Sequence, residues 1–120
     1  MRTVLLSAVL LFVLSSKLSA TESIIFDGGG YTIDVLVGEA EGPAVAQVRF
    51  TAPGSEKWVI VPRESLKIEK FDDDKRLLVM RFSNNGEPDL PASFSLSVKK
   101  DKGVLSINGK QVRGSFNWAE

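Results

Sequence analysis

Histidine and cysteine are both absent from the 120-residue chain. Without them there is no Ser-His-Asp triad and no Cys-His nucleophile. There is also no disulfide, no zinc-finger-type site and no lipid-modified cysteine. Neither sign of charge dominates, with 15 Lys+Arg against 15 Asp+Glu. A balanced surface lacks the basic footprint of nucleic-acid binding. It is equally poor at adhering to anionic membranes. Long apolar runs are confined to one place, the beginning of the chain.

That beginning has three parts. Arg2 is positive, Val4 to Leu14 is apolar apart from Ser7, and Ser15-Ser16-Lys17-Leu18-Ser19-Ala20 ends on a small residue. This is the layout of a secretory signal peptide. A membrane-spanning helix needs about 20 apolar residues, which the run does not supply. Residues 1–20 are therefore read as a leader removed on export, to the periplasm or beyond. Residues 21–120 are read as a single domain with no stable membrane anchor. Losing Arg2 and Lys17 takes the 15 basic residues down by two against 15 acidic ones, for a net charge of −2. About 100 residues suffice for one core without covalent staples, though with a modest margin.

After residue 20 the hydrophobic period is two, punctuated by Gly, Pro, Asn and Asp. Ser23 to Phe26, Tyr31 to Val37, Ala44 to Thr51, Lys57 to Val61, Ser65 to Phe71 and Arg76 to Phe82 read as strands. Gly38 to Pro43 and Ser83 to Pro91 read as loops. Phe94, Leu96 and Val98 alternate with Ser93, Ser95 and Ser97, the mark of a half-buried strand. Gly103 to Ile107 and Lys110 to Trp118 flank Asn108-Gly109. Asn-Gly between alternating strands is the strongest short hairpin signal, since a type I′ turn needs positive φ twice. The expected fold is all-β: an antiparallel β-sandwich of about eight short strands, with a small closed β-barrel as the alternative. The sandwich is preferred because barrel closure usually takes longer, more even strands.

An enzyme without His or Cys must use carboxylates, Lys, Ser or Tyr. Phe26-Asp27-Gly28-Gly29, after Ile24-Ile25, faintly resembles the aspartic-protease signature, with Leu36-Val37-Gly38 as a second echo. Gly28 stands where that family has a bracing Thr or Ser, so a glycine-rich hairpin with an exposed Asp27 is expected instead. Asp72-Asp73-Asp74 is too contiguous to converge on a calcium ion and reads as a solvated turn. Glu87-Pro88-Asp89 could pair two carboxylates against a glycoside, but so small a domain offers little cleft. Gly28-Gly29-Gly30 precedes a strand rather than a helix, which removes the phosphate-cradle reading. The serines of 93–97 have no nearby base. Lys99-Lys100-Asp101-Lys102 reads as a soluble hairpin end. No metal and no cofactor are implied.

Two strands are apolar on both faces, which a plain sandwich strand is not. Val59 and Val61 oppose Trp58 and Ile60, while Leu77 and Val79 oppose Leu78, Met80 and Phe82. The expected consequence is an outward apolar patch of Val59, Val61, Leu77 and Val79 for a protein partner or a homodimer. In size and class the chain resembles small exported inhibitor and immunity proteins and cell-envelope modules, with no motif that carries residue roles across. The leading expectation is thus an exported, non-enzymatic protein-binding domain. The alternative is a carbohydrate- or small-ligand-binding module stacking its ligand on Tyr31, Trp58 and Trp118. A carboxylate-based hydrolase, with Asp27 as its candidate, comes third.

Overall fold

The computed structural model describes residues 22–38 and 44–118. The expected leader, most of the Gly38–Pro43 loop and the last two residues lie outside the described residues. The fold is antiparallel β throughout, as the alternation predicts. Its strands are β1 (Glu22–Gly28), β2 (Tyr31–Gly38), β3 (Ala44–Thr51), β4 (Val59–Ile60), β5 (Leu66–Asp72), β6 (Leu77–Ser83), β7 (Ser93–Lys99), β8 (Lys102–Ile107) and β9 (Lys110–Asn117). A single 3-10 turn, Arg63–Ser65, separates β4 from β5, and there is no α-helix among the described residues. None of the described residues therefore forms a helix long and apolar enough to cross a membrane.

All nine strands belong to one strongly curled sheet, a half-barrel, in the order β4-β3-β2-β1-β9-β8-β7-β6-β5. Its two halves face each other across the core, as sandwich layers do. Phe50 of β3 stacks on Phe94 of β7 at 5.5 Å, and Phe94 meets Phe82 at 5.2 Å. The halves join where β1 meets β9, through Ile25↔Asn117, Phe26↔Phe116 and Asp27↔Ser115. Because every pairing is antiparallel, β4 and β5 run in the same direction. Segment 59–72 therefore runs first along β3 and then along β6. Val61 N donates to Val48 O at 2.9 Å, beyond the end of β4. Arg63 Nη1 then donates to the Val45 and Ala46 carbonyls, each at 3.3 Å. β5 is left as an edge, guarded by Lys67, Glu69, Lys70 and a bulge between Ile68 and Lys70.

The turns follow the local chemistry. Gly29 and Gly30 have φ of 58° and 88°, and Asn108 and Gly109 have 53° and 76°. Both pairs supply the double positive φ that a tight hairpin needs. The Asp72-Asp73-Asp74 run makes a turn in which Asp72 Oδ1 accepts from Lys75 N at 3.0 Å. The acidic run thus caps its own turn, as a solvated turn should.

Inward positions fill the interior with Ile24, Phe26, Ile33, Val35, Val48, Phe50, Leu78, Met80, Phe82, Leu96 and Leu105, all buried. Phe26 sits where three glycines meet. Its ring lies within 3 Å of the points where Cβ atoms would stand on Gly28, Gly103 and Gly114. The hairpin turns at 29–30 and 108–109, the 52–58 connection and the 84–91 loop gather at one end of the half-barrel. The turns at 72–76 and 100–101 and the end of β9 gather at the other.

Candidate functional site

Among the described residues, the large hydrophobic side chains that remain exposed are Trp58 at 42% and Ile60 at 56%. They flank Val59, Trp58 just before the shortest strand and Ile60 within it. This reverses the expected face. Val59 lies opposite Phe50, an inward residue, and so points inward and is half-buried. Val61 is buried in the core and belongs to no outward patch. A strand that is apolar on both faces carries no internal signal for which side is in, and a one-residue change of register exchanges them. Leu77 and Val79 do lie on the outer face of β6, half-buried. With Val59 and Val61 turned inward, the four residues do not form one surface.

Behind Trp58 and Ile60 is a polar assembly. A row of outward residues crosses four pairings: Asn117, Ile25, Asp34, Arg49 and Ile60. Asp34 is only 2% exposed although it lies on the outer face. Its Oδ1 accepts from the Ser23 hydroxyl. Its Oδ2 accepts from Arg49 Nε at 3.1 Å and from Arg49 Nη2. The Arg49 guanidinium carbon also lies 4.7 Å from the Trp58 ring centroid. This is within the ~6 Å reach of a cation–π contact. Carboxylate, guanidinium and indole are thus in contact in series, from the buried Asp34 to the exposed Trp58. The sequence reading did not single out Asp34, Arg49 or Ile60. The available signal was an acid at an outward position of β2 and a base at one of β3. Joining them needs the register on either side of the bulge at Leu36/Val37.

The 84–91 loop borders this face. Lys57 Nζ meets Asp89 Oδ2 at 3.0 Å, an exposed pair that adds little stability but ties the loop to the chain before β4. Asn84 organises the loop from inside. Its Nδ2 donates to the carbonyls of Glu87, Leu90 and Pro91 at 2.8, 3.1 and 3.0 Å, and its Oδ1 accepts from Glu87 N at 2.7 Å. The result places Leu90 in the core. Replacing Asn84 with Ala should cost about 2 kcal/mol, since each such bond contributes roughly 1 and two partly buried carbonyls lose their donor. Urea unfolding would show the loss, and an unchanged midpoint would mean that the loop holds without Asn84.

The three aromatic residues expected to stack a ligand do not form one site. Tyr31 is half-buried and tilts against Phe50 at 5.9 Å. Trp118 is buried, not partly exposed as its place near the chain end suggests. It stacks on Phe71 at 6.2 Å, meets Phe116 edge-on at 5.1 Å and donates from Nε1 to the Lys100 carbonyl. The physical reason is that β9 carries Trp118 inward, in phase with Phe116, to plug the end of the half-barrel opposite Trp58. Of the three, Trp58 alone presents a substantial surface.

Asp27 is exposed, beside the Gly29-Gly30 turn, opposite Thr32 and Ser115. Among the described residues no group of three or more acidic side chains is placed to hold a metal ion. Ser93, Ser95, Ser106, Arg81, Lys110 and Gln111 line an open trough of about 520 Å³ on the outer face of β6–β9. Arg81 there is paired with Glu69 at 3.1 Å. No protein-family model matches the chain, and neither a curated protein nor a solved structure does.

Proposed function

We propose that the chain is an exported, non-enzymatic domain that binds another protein through the outer face of β3 and β4, centred on Trp58 and Ile60. The observation that carries this reading is the exposure of those two side chains, two positions apart, where the other large apolar residues described are at least half-buried. Adjacent exposed apolar side chains mark contact sites when they form a patch. Trp and Arg are the residues most enriched at the energetic centres of protein interfaces. Here Arg49 lies against Trp58.

Binding rather than catalysis is supported by how the carboxylates are used. Asp72 caps a turn, Asp89 pairs with Lys57, and Asp34 pairs with Arg49. The export half of the proposal rests on the sequence of residues 1–20. The glycan reading is weaker, because the polar trough on β6–β9 includes none of Tyr31, Trp58 and Trp118 in its lining.

The test is capture of partners from the host's envelope and medium by the tagged, exported chain, identified by mass spectrometry. A stoichiometric protein should appear with the wild-type chain and be lost with Trp58→Ala, Ile60→Lys. A hot-spot loss of about 2 kcal/mol or more corresponds to roughly 30-fold in affinity. Sedimentation of the same pair would show whether the partner is a second copy, as a fall in mass on substitution. Equal capture by both proteins would end this assignment of the face.

A further inference from the structure

We infer that Asp34 and Arg49 are positioning residues for this face: the buried carboxylate fixes the guanidinium, and the guanidinium fixes the Trp58 indole. The inference rests on the reading of Trp58 as a contact residue for its consequence, though not for its geometry.

An exposed tryptophan just before a two-residue edge strand has few neighbours to hold its ring. A free Arg beside it would also hold little, since ordering its long side chain gives up much rotamer freedom. Asp34 changes this. Nε and Nη2 of Arg49 both converge on Oδ2, which sets the plane of the guanidinium, and the Ser23 hydroxyl on Oδ1 sets the plane of the carboxylate. One broad face of the guanidinium is then free to lie over the indole at 4.7 Å.

The pair is also poorly suited to a purely stabilising role. Asp34 is 2% exposed while the Arg49 side chain is 36% exposed. Burying a carboxylate carries a desolvation cost that its ion pair at best offsets. What the arrangement contributes beyond that balance is geometry. Trp58 meets a partner with one ring face already occupied by Arg49 and the remainder open, next to Ile60. The contact it offers is flat and apolar, suited to an aliphatic or aromatic side chain. Preorganising such an anchor lowers the ordering cost of binding.

The chain's two tryptophans give the test an internal reference, because Trp118 is buried and Trp58 is exposed. Acrylamide-quenchable emission, with a Trp58→Phe blank subtracted, reports Trp58 alone. Asp34→Asn removes the charge that holds the guanidinium. Arg49→Lys keeps the charge but loses the planar fork that binds and stacks. Both variants should raise the quenching constant of Trp58 about twofold and lower its anisotropy as the cation–π contact is lost. Trp118 emission should stay unchanged, reporting an intact fold. If Asp34→Asn fails to fold, Arg49→Lys, at a half-exposed site, still decides the matter. Unchanged quenching and anisotropy in a folded Arg49→Lys chain would overturn the inference. If Trp58 loosens while capture of the partner is unaffected, the positioning role stands and the choice of face falls instead.

Discussion

Replacing Gly114 with alanine should lower stability by about 3 kcal/mol, the upper part of the usual overpacking range. A Cβ on Gly114 would fall well inside van der Waals contact of the Asp27 carbonyl oxygen, and within 2.8 Å of the Gly28 Cα and of a Phe26 ring carbon. Two of those three atoms are backbone and cannot rotate away. The clash lies where β1 meets β9, a junction with only three paired positions, so there is little neighbouring ladder to absorb a shift. Relief would require β1 and β9 to part, which opens the half-barrel at its middle. Gly103→Ala is the matched control. The three atoms nearest its Cβ would all belong to side chains, the Phe26 ring at 2.9 and 3.1 Å and Val98 at 3.4 Å. It should cost about 1 kcal/mol, the lower part of the same range. Urea unfolding of the two variants measures the difference. Equal losses would show that the β1–β9 contact has slack enough to admit the methyl group.

Phe26→Ala should be costlier still, about 4 kcal/mol, within the range for truncating a buried aromatic residue. Phe26 is fully buried, and its ring lies against Gly28, Gly103 and Gly114. Cavities close when neighbouring side chains lean in, but here three of the walls are bare backbone. The site can collapse little, which places the loss high in its range. For a domain of this size the fall in Tm should be about 20 °C. A fall of less than about 8 °C, equivalent to 1–2 kcal/mol, would mean that the cradle collapses after all. The two predictions are coupled. Phe26→Ala should soften Gly103→Ala, because the new methyl group enters vacated space, and the double variant should be less damaged than the sum. It should do little for Gly114→Ala, whose tightest neighbour is the Asp27 carbonyl.

Local chemistry made much of this fold legible. Asn108-Gly109 and the glycines at 29–30 fall at hairpin tips because few other residues tolerate their φ. The alternation from Ser93 to Val98 is the burial pattern of β7 read directly. The all-β class follows from that period and from the density of turn residues. What stayed hidden depends on contacts between distant segments. Val59 faces inward because it pairs with Phe50, a fact of register rather than composition. Trp118 is covered because β9 ends against Phe71, a neighbour 47 positions earlier in the chain. The Asp34–Arg49 pair needed β2 and β3 aligned across a bulge, and bulges leave no reliable mark in a single sequence. Consequently the core was more readable than the outer face, and the candidate site lies on the outer face.

The order of strands holds one more consequence. Starting at β5 and passing from β9 to β1, the chain order and the spatial order coincide all the way to β4. Considered as a circle, the protein is one uninterrupted up-and-down meander. Its single unpaired link is the short stretch from Pro62 to Ser65, since every other link joins strands that are hydrogen-bonded neighbours. Between β9 and β1, by contrast, the circle is closed by paired strands, with Ile25 beside Asn117. A circularly permuted chain, joined between β9 and β1 and cut at this link, would keep every strand pairing. The place where this sheet is open is therefore the link between β4 and β5, and not the seam between its first and last strands.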